Sequence, residues 1–348
     1  MLRTFALVLS CLLLALPLRA AEPRGLEIYF VDTEGGAATL IVTPAGESVL
    51  IDSGNPGKRD AERIHKVATE LAKISAIDHH IITHWHLDHY GGVERLAQLM
   101  PIKRFYHHGI PEKLDEDPKN FPVLIKALKT AANGHEQAIK PGDNIPLKPI
   151  EGGPRLELFC LCGNGEVIAD KPGAAENPIA AEHKPAPVDK TDNARSLGFI
   201  LKFGGFRFLD LGDLTWNIEY KLVHPSDKIG LIDVYQSTHH GLEISNNPVL
   251  IKTVKPRVAV VNNGPKKGGH PQVISTLRRL PEEPTIYQMH RNLLSSANEN
   301  TDPELIANAA ADCKAEPIWI KVSPDGSHYS VTVGGTNKTR QFNTRFKD

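Results

Sequence analysis

The chain has 348 residues, with 40 lysines and arginines against 41 aspartates and glutamates, a formal charge of −1 and 41% hydrophobic residues. That is enough apolar material for one large domain or two small ones, and it excludes an intrinsically disordered chain. The near balance of charge, with no long basic run, excludes a surface built for tight nucleic-acid binding, which needs clustered Lys and Arg.

In chain order, residues 1–20 read as a secretory signal. Arg3 supplies the positive start, Phe5 to Leu18 the apolar stretch, and Leu18-Arg19-Ala20 a small-residue end. The stretch is too short and badly flanked to span a membrane, and no other segment is apolar enough. Cleavage would leave residues 21–348 as a mature chain in the periplasm or outside the cell. Without Arg3 and Arg19, 38 basic residues face 41 acidic ones, a net charge of −3. Cys160, Cys162 and Cys313 remain, an odd number that defines no disulfide framework. Cys160 and Cys162 are expected on one strand face. Pairing of one of them with Cys313 competes with three buried, apolar cysteines.

Residues 26–31, 37–42 and 49–52 read as strands, the first two joined by Glu34-Gly35-Gly36 and the third ending in Ser53-Gly54. An amphipathic helix follows over 58–74, with Ala61, Ile64, Ala68 and Leu71 along its apolar stripe. The strand 80–83 then empties into Thr83-His84-Trp85-His86-Leu87-Asp88-His89. His84, His86, Asp88 and His89 are four metal-ligand types within six residues, and imidazole with carboxylate suits zinc or a similar divalent ion. His84 and His86 share parity in an extended segment, whereas Asp88 and His89 lie beyond a turn and can reach a second ion. Helices are expected over 92–100 and 120–132, with a strand at 103–108 ending in His107-His108, read as core or surface histidines. Residues 163–191, with Pro172, Pro178, Pro185 and Pro187, read as a long irregular loop of the kind that forms a lid or substrate wall.

The second half restarts at Asp192-Asn193-Ala194-Arg195-Ser196. Strands 197–203 and 206–211 form a hairpin across Gly204-Gly205, and the second delivers Gly212-Asp213. A strand over 229–235 leads into His239-His240-Gly241, and one over 257–261 into Asn262-Asn263-Gly264. Lys266-Lys267-Gly268-Gly269-His270-Pro271 opens a helix over 272–280, and strands at 285–289, 318–322 and 328–333 complete the chain, the last two joined across Asp325-Gly326.

The H-x-H-x-D-H run resembles the metallo-β-lactamase-fold hydrolase superfamily. Within it, the order Val31-Asp32, Ile51-Asp52-Ser53-Gly54, His84 to His89, Asn193 to Leu197, Gly212-Asp213, His239-His240-Gly241 and Gly269-His270-Pro271 is most similar to the hydrolase domain of ComEC-type competence proteins and their secreted stand-alone relatives. The likeness spans residues 26–333 and implies an α/β fold, a four-layer αββα sandwich, in a single domain with insertions near 108–190 and 291–316. It implies that Asp52 orients metal ligands through hydrogen bonds, that Asp213 bridges two ions in preference to Asp210, and that one histidine of His239-His240 coordinates, with His240 favoured. His84 and His86 would hold one ion and Asp88, His89 and His240 the other. Most members supply a third histidine to the first ion. Here that stretch offers Asn193 or Asp192, and His183 is not expected to substitute. The cofactors expected are two divalent ions, zinc or manganese, that activate a water, with Asp88, Asp52 and His270 as catalytic candidates. The substrate expected is a phosphodiester, either nucleic acid or a small-molecule or lipid-linked ester; Lys266, Lys267 and His270 could contact one phosphate, but a solvated turn is the favoured reading of that stretch. Amide or lactone hydrolysis and a non-enzymatic metal-binding module are the competing readings.

Overall fold

The computed structural model describes residues 24–310 and 312–346, so the expected signal at 1–20 lies outside the described residues. In chain order the strands are β1 (Leu26–Phe30), β2 (Thr39–Val42), β3 (Ser48–Ile51), β4 (His79–Ile81), β5 (Phe105–His107), β6 (Glu136–Ala138), β7 (Leu156–Gly163), β8 (Glu166–Val167) and β9 (Gly198–Phe203). They continue with β10 (Phe206–Asp210), β11 (Val234–Gln236), β12 (Val258–Val261), β13 (Thr285–His290), β14 (Ile306–Asn308), β15 (Ile318–Val322), β16 (His328–Val333) and β17 (Lys338–Asn343). The helices are α1 (Arg59–Lys66), α2 (Leu87–Tyr90), α3 (Val93–Leu99), α4 (Phe121–Ala132), α5 (Trp216–Lys221), α6 (Pro248–Val254) and α7 (Pro271–Arg278).

Two mixed sheets result. The first has the order β17-β16-β15-β1-β2-β3-β4-β5-β6 and the second β14-β13-β12-β11-β10-β9-β7-β8. Runs such as Thr-Leu-Ile-Val in β2 and Val-Ala-Val-Val in β12 are buried along their whole length, as strands covered on both faces must be. The inner faces meet in one core, where Ile28, Phe30, Ile41 and Ile81 of the first sheet pack on Phe199, Phe208, Val234 and Tyr287 of the second. The outer face of the first sheet is covered by Ala61, Ile64, Val67 and Leu96, and that of the second by Val249, Leu250, Val273 and Leu277. The expected α/β architecture of helix, sheet, sheet, helix is thus the one formed. Parallel neighbours β3 and β4 need a crossover, and α1 supplies it, continuing through a π-helical turn at Val67–Leu71.

Several local expectations change. The helix expected over 58–74 is α-helical only to Lys66. The strand expected over 229–235 shrinks to Val234–Gln236, because residues 229–233 carry a Gly and lack ladder partners. Short or polar elements escaped the sequence reading: β6, β8, β14, β17, α5 and α6. Cys160 and Cys162 do not share a face. The register of β7 shifts between them, so Cys160 enters the core between the sheets and Cys162 the core beneath the helices. All three cysteines of the described residues are free, so no pairing with Cys313 forms. The 163–191 segment is irregular apart from β8 and a short 3₁₀ turn at Pro178–Glu182. No helix of the described residues is long and apolar enough to cross a membrane.

This topology positions the site. Asp52 follows β3, residues 82–89 follow β4, Asp213 follows β10 and His239-His240 follow β11. All therefore leave the carboxyl ends of strands that take part in parallel pairs, β3–β4 in one sheet and β10–β11 in the other, where open α/β sheets place their clefts. The two halves approach closely because Gly212, at φ +54, has no side chain; a Cβ there would lie 2.9 Å from Thr83 Cβ.

Candidate metal centre

Asp52 is the hinge of the first half. It is a non-glycine residue at φ +60, held there by three hydrogen bonds. Its Oδ1 accepts the Thr83 amide at 2.8 Å, and its Oδ2 accepts the Thr83 hydroxyl at 2.7 Å and His89 Nδ1 at 2.7 Å. With Nδ1–H donated to the carboxylate, His89 Nε2 is aimed at the centre, where an ion that displaces its proton would take the lone pair. Burial pushes the Asp52 carboxyl up, and His89 opposes that shift.

Asp213 Oδ2 lies 3.1 Å from His89 Nε2 and 3.3 Å from His240 Nε2, and Asp88 Oδ2 lies 3.5 and 3.2 Å from the same two nitrogens. Ligands at about 2.0–2.1 Å from a tetrahedral ion are about 3.3 Å apart. The four donors are therefore already spaced as one coordination sphere. His84 Nε2, His89 Nε2 and both ring nitrogens of His240 are buried without a hydrogen-bond partner. Orphaned imidazole nitrogens facing carboxylates are costly unless a cation sits between them, so this donor set fits a divalent ion. The electrostatics agree. Against burial, Asp213, Asp52 and Asp88 hold His89 well above the usual imidazole range. Against burial again, His239, His240 and His89 hold Asp213 well below the usual carboxylate range.

As neighbours in an extended chain, His239 and His240 would point apart. Both instead adopt φ +55, a left-handed turn, and both reach Asp213, with His239 Nε2 at 3.3 Å. His239 Nδ1 pairs with Ser245 Oγ at 3.2 Å, and only His240 also approaches Asp88. Gly268, at φ +76, backs the His240 carbonyl so closely that a Cβ would lie 2.1 Å from it.

The second group of ligands is looser. His84 Nε2 is 4.0 Å from Asp213 Oδ2, and the His84 and His86 rings are 4.6 Å apart between centroids. His86 Nε2 lies 3.4 Å from Glu116 Oε1. Asp192 is committed elsewhere: its Oδ2 accepts the Trp85 amide at 2.7 Å and pairs with His108 Nε2 at 3.0 Å. The Asn193 Oδ1 is buried without a partner. His183 stacks on Tyr220 at 3.7 Å and pairs with Asn247, both on the helical side of the second sheet. His107 packs on Trp85.

Asp210 stays beside the centre without joining it. One oxygen accepts the Gly212 amide, and burial pushes its carboxyl up to about 7. His270 is 41% exposed and caps α7, with Nε2 3.9 Å from Glu243 Oε2, so it is not among the residues gathered round Asp213. The sequence reading missed Glu116, which lies in an insertion where no motif marks it. The turn expected to be solvated at Lys266-Lys267 instead sets the Lys267 ammonium against Asp88 Oδ2.

Two outcomes are expected. Asp52→Asn removes the carboxylate that aims His89 and should weaken metal binding by about 10- to 100-fold in chelator competition; unchanged affinity would refute the role given to Asp52. Because one donor group is closely spaced and the other is not, chelator titration of the metal-loaded protein should release metal in two steps. Asn193→His should tighten the weaker step, and a single step unaffected by that change would mean position 193 has been misplaced.

Residues 31–168 match the metallo-beta-lactamase superfamily. An atrochrysone carboxyl ACP thioesterase of Aspergillus fumigatus is 39% identical over 129 residues, 32% of this chain and 40% of that protein. A metal-dependent hydrolase of Cupriavidus metallidurans is 22% identical over 231 residues, 65% of this chain and 69% of that protein. The chain thus spans well under two thirds of the thioesterase. Among solved structures, the diiron beta-hydroxylase CmlA from Streptomyces venezuelae superposes with a TM-score of 0.45 at 16% identity, over 77% of this chain and 53% of that one. Residues 31–168 are thus similar to the metallo-beta-lactamase superfamily, and metal-dependent hydrolases are among the proteins that the chain resembles.

Proposed function

We propose that the chain is a metal-dependent hydrolase acting on a phosphodiester of small size. The observation that carries this reading is Lys267. Its ammonium, 41% exposed, lies against Asp88 Oδ2 at the edge of the closely spaced donor set. When bound, divalent ions at such a site activate a water for attack and polarise the oxygen under attack. Asp88 then shares its charge with an ion, and Lys267 is placed to hold a non-bridging phosphate oxygen by charge. Asp52 keeps His89 in one tautomer, and Asp213 faces both groups of histidines. The net charge of −1 favours a small or lipid-linked ester over a long nucleic acid, which needs many basic contacts.

A second reading, hydrolysis of an acyl thioester, has one specific observation in its favour. A cavity of about 510 Å³ is lined by Pro185, Pro187, Val188, Trp216 and Ile244, and by Thr215, two residues beyond Asp213. It could take an apolar arm, with residues 184–189 as its wall. The thioesterase named above supports the same reading.

One comparison separates the two. With metal present, bis(p-nitrophenyl) phosphate should be hydrolysed faster than an S-acyl pantetheine, and nitrocefin little or not at all. Chelation and Asp213→Ala should each abolish the activity. Faster thioester turnover would install the second reading, nitrocefin turnover alone would favour amide hydrolysis, and no turnover of any of them by the metal-loaded protein would favour a binding module. We further propose that the protein acts outside the cytoplasm after residues 1–20 are removed. Mass spectrometry of the native protein should find an N-terminus near Ala21, and an intact Met1 would contradict export.

A further inference from the structure

Asp32, His290 and Cys313 come from three distant parts of the chain: the end of β1, the end of β13 and the segment between β14 and β15. One donor atom from each lies within 4.8 Å of the other two. His290 Nε2 is 2.7 Å from Asp32 Oδ1, and Cys313 Sγ is 3.0 Å from Asp32 Oδ2. Asp32 and His290 are fully buried, and Cys313 is half-buried, which leaves a way in from solvent. None of the three belongs to the donor set around Asp213.

We propose that this triad is a second, structural metal site, for a zinc-class divalent ion. Thiolate, imidazole and carboxylate together are zinc donors, and the thiolate sets the triad apart from the nitrogen and oxygen centre around Asp213. Asn308 Oδ1, 3.8 Å from Cys313 Sγ, is placed to complete four donors. The surroundings can take the charge. Arg63 contacts Asp32 Oδ2 at 3.0 Å but is also held by Glu34 Oε1 at 2.7 Å, so it keeps a partner when Asp32 turns to an ion. With the thiol proton released to solvent, the charges of Asp32, Glu34 and the Cys313 thiolate are opposed by Arg63, which also lies 3.7 Å from Cys313 Sγ, by Arg59 on Glu34 at 3.1 Å, and by the ion. Burial and the hydrogen bond to Asp32 push the Cys313 thiol up to about 11, so binding must release a proton and tighten as pH rises.

The site has a structural consequence. Asp32 Oδ1 also accepts the Glu34 amide at 2.8 Å, and the Glu34-Gly35-Gly36 turn runs on to Ala37, whose amide bonds the Asp88 carbonyl at 3.0 Å. An ion on the triad would tie the segment carrying Cys313 to the turn that supports Asp88. This inference does not depend on the substrate reading.

Titration of the metal-free, folded full-length protein with cobalt(II) tests it. A thiolate–cobalt charge-transfer band in the near ultraviolet should appear with one equivalent per chain. Among the described residues, the centre around Asp213 has no sulfur donor, and Cys160 and Cys162 are 0% exposed. The band should vanish in Cys313→Ser and weaken in His290→Ala, while cobalt bands without thiolate character persist. No charge-transfer band in the wild type at saturating cobalt, or a band that survives Cys313→Ser, would overturn the proposal. The wild-type result stands even if a variant fails to fold.

Discussion

Three carboxylates, the buried Asp52 and Asp213 and the half-buried Asp88, crowd around His89, and everything else at the centre is arranged around that concentration of charge. Burying even one ionised carboxylate is costly unless it is paired and hydrogen-bonded. Asp52 is satisfied by Thr83 and His89, but Asp88 and Asp213 face imidazole nitrogens that lack hydrogen-bond partners. A divalent cation resolves both excesses at once. The electrostatic need for a cation therefore follows from the side chains themselves, independently of any relative.

The fold provides for this by division of labour. One sheet delivers Asp52, His84, His86, Asp88 and His89 from the ends of β3 and β4; the other delivers Asp213, His239 and His240 from the ends of β10 and β11. The aromatic and aliphatic core between the sheets, with Phe30 against Phe208 at 5.9 Å, fixes their separation and hence the distance from Asp213 to His89. Close-packed interiors transmit such constraints over several residues. Gly212 lets the second half approach the Thr83 side chain of the first, and Gly268 lets its own backbone approach the His240 carbonyl within the second.

The two ligand groups differ in the same terms. Around His89 and His240 the donors of Asp88 and Asp213 lie within 3.5 Å of both imidazoles. His86 leans towards Glu116, and Asp192 is spent on Trp85 and His108. A site whose ligands have other partners must give those up to bind an ion, so its affinity is lower for reasons of organisation as well as donor type. Residues 184–189 line a cavity with Thr215, two residues beyond Asp213, and the half-buried Lys267 lies against Asp88.

The sequence alone determined the elements with strong periodicity and the ligands with tight spacing. Residues 84–89 place four donor types within six positions after a buried strand, so their proximity is local even though their aim is not. The hairpin at Gly204-Gly205 and the α/β layering were legible for the same local reason. What local pattern could not contain was decided in three dimensions. A register shift in β7 sent Cys160 and Cys162 to opposite faces. A left-handed turn, invisible to strand parity, turned both His239 and His240 towards Asp213. Glu116 reached His86 from an insertion, and Asp32, His290 and Cys313 met across more than 250 residues of chain. Those contacts depend on sheet order and on the packing of one sheet against the other, and no spacing along a single segment encodes them.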